Sequence, residues 1–228
     1  MSTALGEAHR DDPALPRTGG PAGNARLTAW AGVALLVLFL VECFTLLSLD
    51  QMLSVHIVIG TMLVPLALLK TGTTGWRIVR YYAGSPAYRQ AGPPPMLLRV
   101  LGPLVILSAL AVLGSGLALI PLGESAHSSL FTVVGQRIDA VTIHQAFFIA
   151  WLVVVGLHTL TRLVPAAQLA AGRVGPSPVA GRASRALALA TSLALGAVVG
   201  VAVLDASGAW THERVFGHSF DPDFDGDG

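Results

Sequence analysis

Three of the seven histidines in this chain, His56, His144 and His158, fall inside stretches that are otherwise almost wholly apolar. The segment VTIHQAFFIAWLVVVGLH, residues 141–158, carries two of them fourteen residues apart. Ionisable rings in an apolar span are expensive to place and usually serve a function. Fourteen helical residues make just under four turns and about 21 Å of rise. His144 and His158 therefore share one helix face, one ring near each end of the span. Imidazoles at such positions are suited to hold iron in a porphyrin, which needs axial ligands converging from opposite sides, supplied by facing helices of a bundle. Two such groups stacked across a membrane would need that provision twice, and a fourteen-residue spacing meets it.

The elements that must position these rings are readable from hydropathy. The chain is 53% hydrophobic and 12% charged, against roughly 25% charged residues in soluble domains. Its mean hydropathy is +0.67. A spanning helix needs about 20 mostly apolar residues, and five segments qualify: approximately Leu27 to Leu49, Met52 to Leu69, Val100 to Ile120, Ala140 to Leu160, and Ala186 to Leu204. Pro65 is expected to kink the second, because proline removes one backbone hydrogen bond. The expected fold is an all-α integral membrane bundle of five helices, four of which enclose a cofactor.

Basic residues collect on the cytoplasmic side of membrane proteins. With the N-terminus inside, 12 of the 14 basic residues lie inside and only Arg137 and Arg214 lie outside. Most acidic residues fall on the other side, so the expected orientation is N-in, C-out. Residues 1–26, rich in Gly, Pro, Ala and charge, read as a disordered cytoplasmic tail, residues 27–204 as the transmembrane domain, and residues 205–228 as an acidic extracytoplasmic tail. The first apolar run lacks a clear small-residue cleavage site and reads as an anchor rather than a cleaved signal peptide. The single cysteine, Cys43, excludes an internal disulfide and a cysteine-ligated cluster. A net charge of +1, with no basic aromatic-rich stretch, argues against a nucleic-acid partner. No dinucleotide fingerprint is present, so hydride transfer from a nicotinamide is not expected of this chain alone.

In this topology the second and fourth spans run the same way, and His56 and His144 each lie about four residues into their span. They sit at similar depth near the outer face. The pattern resembles the membrane cytochromes b, in which two helices each present a histidine pair at about this spacing. The stretch from His56 through LLKTGTTGWRIVRYYAGSPAYRQAGPPPMLLRVLGPL to SGLAL, within a match covering roughly residues 50 to 162, is similar to actinobacterial cytochrome-b-like membrane proteins. These are ferric-reductase-like helical bundles, some of them associated with molybdopterin oxidoreductases. The resemblance implies haem b and electron transfer. It also implies a bacterial cell (inner) membrane and a redox partner protein, with a molybdopterin oxidoreductase or a quinone as candidate partners.

The chain departs from the four-histidine pattern at one point. Fourteen residues after His56 stands Lys70, not histidine. The sequence thus supports one bis-histidine haem, with His56 and His144 as iron ligands. His158 stays open to several readings: a ligand of a second haem with Lys70 or no protein group opposite, a hydrogen bond to a quinone, or a contact with backbone. Gly60, one turn from His56, and Gly116, in Gly114-Ser115-Gly116, offer surfaces without side chains for a flat macrocycle, although small residues also serve close helix packing. Gly156 is a similar case, and Phe147, Phe148 and Trp151 are candidates for a pocket wall or for ordinary packing. Glu42, the one carboxylate well inside a span, is placed to orient a ligand imidazole, to pass protons to a quinone, or to bond a neighbouring helix. The inner segment Lys70 to Arg99 mixes Trp76, Tyr81, Tyr82 and Tyr88 with basic residues and reads as interfacial, against lipid headgroups. The tail DPDFDGDG lacks the downstream glutamate of a calcium loop. Electron relay as a subunit, rather than self-sufficient catalysis, is the leading expectation; a non-haem scaffold or small transporter is the alternative.

Overall fold

The computed structural model describes residues 12–93, 96–208 and 210, and these are mostly helical. Five long helices appear in chain order: α1 (Gly20–Thr45), α2 (Leu49–Tyr82), α4 (Met96–Leu122), α5 (Ala140–Ala170) and α6 (Arg182–Ala206), with a short α3 (Pro86–Gln90) between α2 and α4. Four helical runs are long and apolar enough to cross a membrane: Gly20–Tyr82, Arg99–His127, Ala140–Ala170 and Arg182–Ala206. They mark the chain as a membrane protein. Their outer faces carry large apolar side chains in the open, Leu40 at 58%, Leu107 at 63% and Val198 at 68% exposed. Such a surface is stable against lipid rather than water.

The first run, 63 residues long, folds back on itself at a 3-10 turn, Leu46–Ser48. Cross-helix bonds define the hairpin. Asn24 Nδ2 donates to Thr73 O at 2.9 Å, Thr28 Oγ1 meets Thr73 Oγ1 at 2.8 Å, and Thr45 Oγ1 meets His56 Nδ1 at 2.9 Å. Early residues of α1 thus pair with late residues of α2, so the two helices are antiparallel. Packing then joins α1 to α2, α2 to α4, α4 to α5 and α5 back to α1, a ring in which α2 and α5 stand at opposite corners. α6 lies outside the ring, mainly against α2.

That last contact rests on glycine. Gly196 and Gly200 are four apart on α6, a spacing that lets two membrane helices approach closely. A Cβ on Gly196 would come within 3.0 Å of Met62 Cα, and one on Gly200 within 3.1 Å of Val58 O. The backbone of α2 is therefore the surface on which α6 sits, beside Pro65, which stays within the helix.

The helices outrun the apolar segments. α1 begins at Gly20 rather than Leu27, and residues 12–19, expected in the flexible tail, carry an ion pair from Asp12 to Arg77 with a closest approach of 2.6 Å. Residues 1–11 and 211–228 lie outside the described residues. α2 continues to Tyr82, so much of the expected inner loop is helix. A helix satisfies its own backbone bonds whether or not lipid surrounds it, whereas hydropathy senses only the edge of the hydrocarbon. Between α4 and α5 stand a 3-10 turn (Gly123–His127) and a hairpin, β1 (Phe131–Val133) with β2 (Gln136–Ile138), which hydropathy does not announce. Its turn carries positive φ at Val134 and Gly135, as a two-residue hairpin turn requires.

Candidate functional site

His56 stands on the eighth residue of α2 and His144 on the fifth of α5. Each ring is near the start of its helix, at one level of the bundle and on diagonal corners. They are close enough to act on each other electrostatically. The start of α5 is fixed by Asp139, whose Oδ1 accepts from Thr142 N at 2.7 Å. This N-cap satisfies an otherwise unpaired amide. The bond also holds the Asp139 carboxyl below its ordinary pKa, with a smaller contribution from His127.

A hydroxyl group stands beside each ring. At the end of α1 the N–H of Leu46 goes to Cys43 and Phe44 carbonyls. The Glu42 carbonyl is taken instead by Thr45 Oγ1 at 2.6 Å. A threonine has one hydroxyl proton, and this bond uses it. Toward His56 Nδ1, at 2.9 Å, Thr45 Oγ1 can only accept. With the hydroxyl proton on that carbonyl, the ring hydrogen would sit on Nδ1 and the lone pair on Nε2. The same device recurs across the bundle. Ser115 Oγ donates to Val112 O at 3.1 Å and stands 2.9 Å from His144 Nδ1. The Val112 carbonyl is also within bonding reach of the His144 ring, so two groups of α4 hold it. One nitrogen of each ring is thereby anchored beside a hydroxyl.

Glu42 adds a second acceptor at His56, its Oε1 lying 3.1 Å from Nδ1. Its other oxygen, Oε2, is buried without a partner. The two glycines make these approaches possible. A Cβ on Gly60 would lie 3.0 Å from Glu42 Oε1, and one on Gly116 would lie 3.0 Å from His144 Cε1. The space beside each glycine is thus used by the Glu42 carboxylate or by the His144 ring. At Gly114 and Gly156 an added methyl would meet nothing within 4 Å. Trp151 packs edge-on against Phe39 at 4.7 Å and lies tilted 6.4 Å from Phe148, a wall between α5 and α1.

One bundle level away the arrangement differs. His158 and Lys70 are brought near each other, with Arg162 close by. Lys70 Nζ reaches Thr28 O at 3.5 Å beside Gly32. His158 Nδ1 is buried with no hydrogen-bond partner, and the nearby Thr161 hydroxyl serves the His158 carbonyl rather than its ring. His158 lacks the anchor that His56 and His144 share.

No family model, curated protein or solved structure matches this chain. The site must be read from its own chemistry. Among the described residues no three His, Cys, Asp or Glu side chains converge on a point. A small ion held by protein ligands alone usually needs three or four, whereas a porphyrin supplies four ligands to its iron and asks the protein for one or two.

Hydropathy and spacing singled out His56, His144, Glu42, Gly60 and Gly116, and all five lie in this cluster. Thr45 and Ser115 were not singled out as ring partners. The signal was present: each is a lone hydroxyl in an apolar run, at the depth of a histidine, three residues after a carbonyl it can take.

Proposed function

We propose that this chain is a b-type cytochrome subunit of the bacterial cell membrane, relaying electrons through one haem b held by His56 and His144. The carrying observation is the pair of imidazoles on diagonal helices at one level, each with Nδ1 anchored by a hydroxyl at 2.9 Å. Rings that served only packing would have no need of the same anchor twice. In this reading the chain crosses the membrane five times, N-in and C-out. Support for the fifth crossing comes from the antiparallel pairing of α1 with α2.

The donor set fits the group: two imidazoles among apolar helices, with no group of three acidic, thiol or imidazole ligands among the described residues. When bound, haem supplies one-electron redox chemistry. The protein's contribution is positional. Thr45 and Glu42 hold the His56 ring, Ser115 holds the His144 ring, and Gly116 lets that ring lie against α4. The apolar surround lowers the local dielectric and limits water. Lys70 and an unanchored His158 make the inner level a poorer site, so the reading commits to a single haem. A quinol or a separate redox protein, with a molybdopterin oxidoreductase as one candidate, delivers or accepts the electron.

The deciding measurement is the reduced-minus-oxidised visible spectrum of purified, folded protein, with haem-to-protein stoichiometry. A b-type band at one haem per chain is expected, lost in His56→Ala and in His144→Ala. A folded, haem-supplied protein without any band would replace this reading with a membrane scaffold.

A further inference from the structure

The inner segment that mixes aromatic and basic residues takes no part in the histidine site. In the fold, Trp76 and Arg80 of α2, Tyr88 of α3 and Arg185 of α6 line a cleft of about 390 Å³, walled also by Leu15 and Leu27. It lies at the end of the bundle where most basic residues gather, remote from His56 and His144.

Its charge is not balanced. Arg185 is only 6% exposed. Its Nη1 donates to Ala180 O at 2.6 Å and Nη2 to Val179 O at 3.1 Å, while Nε is buried without a partner. The guanidinium passes so close to α1 that a Cβ on Gly23 would lie 2.8 Å from Nη1. Carbonyls satisfy hydrogen bonds but do not neutralise a cation, and among the described residues no carboxylate pairs with Arg185. Arg26 is near enough to add like charge. Arg80 lies over the rings of Trp76 at 5.5 Å and Tyr88 at 5.9 Å, with Ser85 Oγ at 3.3 Å. Asp12, on the same side, is engaged by Arg77 through both guanidinium nitrogens. A buried cation left in this way favours an anion brought from outside.

We propose that this cleft holds the phosphate headgroup of an anionic phospholipid, with Arg185 and Arg80 facing the charge and Leu15, Leu27 and Trp76 against the first part of the acyl chains. A lipid fits better than a soluble anion because the walls are mostly apolar and the cleft is bordered by exposed side chains of α2. Trp76 is 55% exposed and Val79 60%. Tryptophan beside arginine is the composition of a headgroup layer, and anionic lipids concentrate on the side where basic residues collect.

The test is native mass spectrometry and thermal unfolding of the full chain in neutral detergent. It is titrated separately with phosphatidylglycerol, phosphatidylcholine and inorganic phosphate. One phosphatidylglycerol is retained per chain in preference to phosphatidylcholine, and it raises the unfolding temperature. Arg80→Gln, at the exposed rim and away from the Arg185 strut, weakens that retention about tenfold, the effect of one charge-assisted bond. Arg173→Gln, on the same side but outside the cleft, leaves it unchanged. Equal retention of both lipids, or an Arg80→Gln variant that binds like the wild type, overturns the proposal. Inorganic phosphate that stabilises as well as the lipid overturns it in favour of a soluble anion.

Discussion

Replacing Ser115 with alanine isolates the orienting bond from the iron ligand. The side chain loses one oxygen and nothing else, and the Val112 carbonyl keeps its place in the helix. His144 Nδ1 then loses the hydroxyl oxygen at 2.9 Å to which it is bonded. A bond of this kind contributes about 1–1.5 kcal/mol, close to a tenfold change in an equilibrium constant. Loss of an outer partner of a metal ligand costs from about tenfold to a hundredfold in affinity. Ser115→Ala leaves the Val112 carbonyl in place and is therefore expected to shed haem up to about tenfold more readily. Thr45→Val is the matching change at the other ring, and each ring keeps a second partner: Glu42 at 3.1 Å from His56 Nδ1, and the Val112 carbonyl at His144. Valine keeps the branched shape while removing the hydroxyl, and Glu42 remains, so the loss at His56 is expected to stay within about threefold, under 1 kcal/mol. Ser115→Thr returns the hydroxyl and restores retention. The assay is transfer of haem from the solubilised protein to excess apomyoglobin, followed in the visible spectrum. The orienting role of Ser115 is refuted if Ser115→Ala holds haem like the wild type.

Four further outcomes follow from particular contacts. His158→Ala leaves the b-type band and its stoichiometry unchanged, because the single haem of this reading does not use that ring; a halved haem content would establish a second site. Gly116→Ala places a methyl 3.0 Å from His144 Cε1, so the ring is displaced by a few tenths of an ångström and the low-spin spectrum shifts before stability is lost. Gly196→Leu drives a side chain into the backbone of α2 at Met62; overpacking of this kind costs about 1–3 kcal/mol and is read as earlier unfolding in a denaturing-detergent titration. The Asp139 carboxyl is held below its ordinary pKa chiefly by the Thr142 amide, so its stabilising effect is complete above the unfolded aspartate value and is lost as pH falls through the lower, folded one. Asp139→Ala is therefore less stable than wild type at neutral pH, and the difference closes on acidification; a difference that persists unchanged in acid would remove the cap from the account.

What the sequence determined by itself was the class of molecule and which polar residues fall inside apolar helices. Apolar length is a one-dimensional property, and so is the period that places His144 and His158 on one face of α5. The depth match of His56 with His144 follows from counting along two segments. Other features were legible but not read: the Gly196–Gly200 spacing is a known packing signal, yet nothing in the chain says that its partner is α2. Helices run past the apolar segments at Leu27 and Leu69 because backbone bonding does not stop where hydrocarbon does. Tertiary structure alone decided that α2 and α5 stand on the diagonal and that the 3-10 turn after α1 frees the Glu42 carbonyl for Thr45. It also decided that Ser115 of α4 meets a ring on α5. A hydroxyl has a single proton, and where that proton goes depends on which carbonyl lies within reach. Only the folded bundle brings those carbonyls, hydroxyls and rings to the same place.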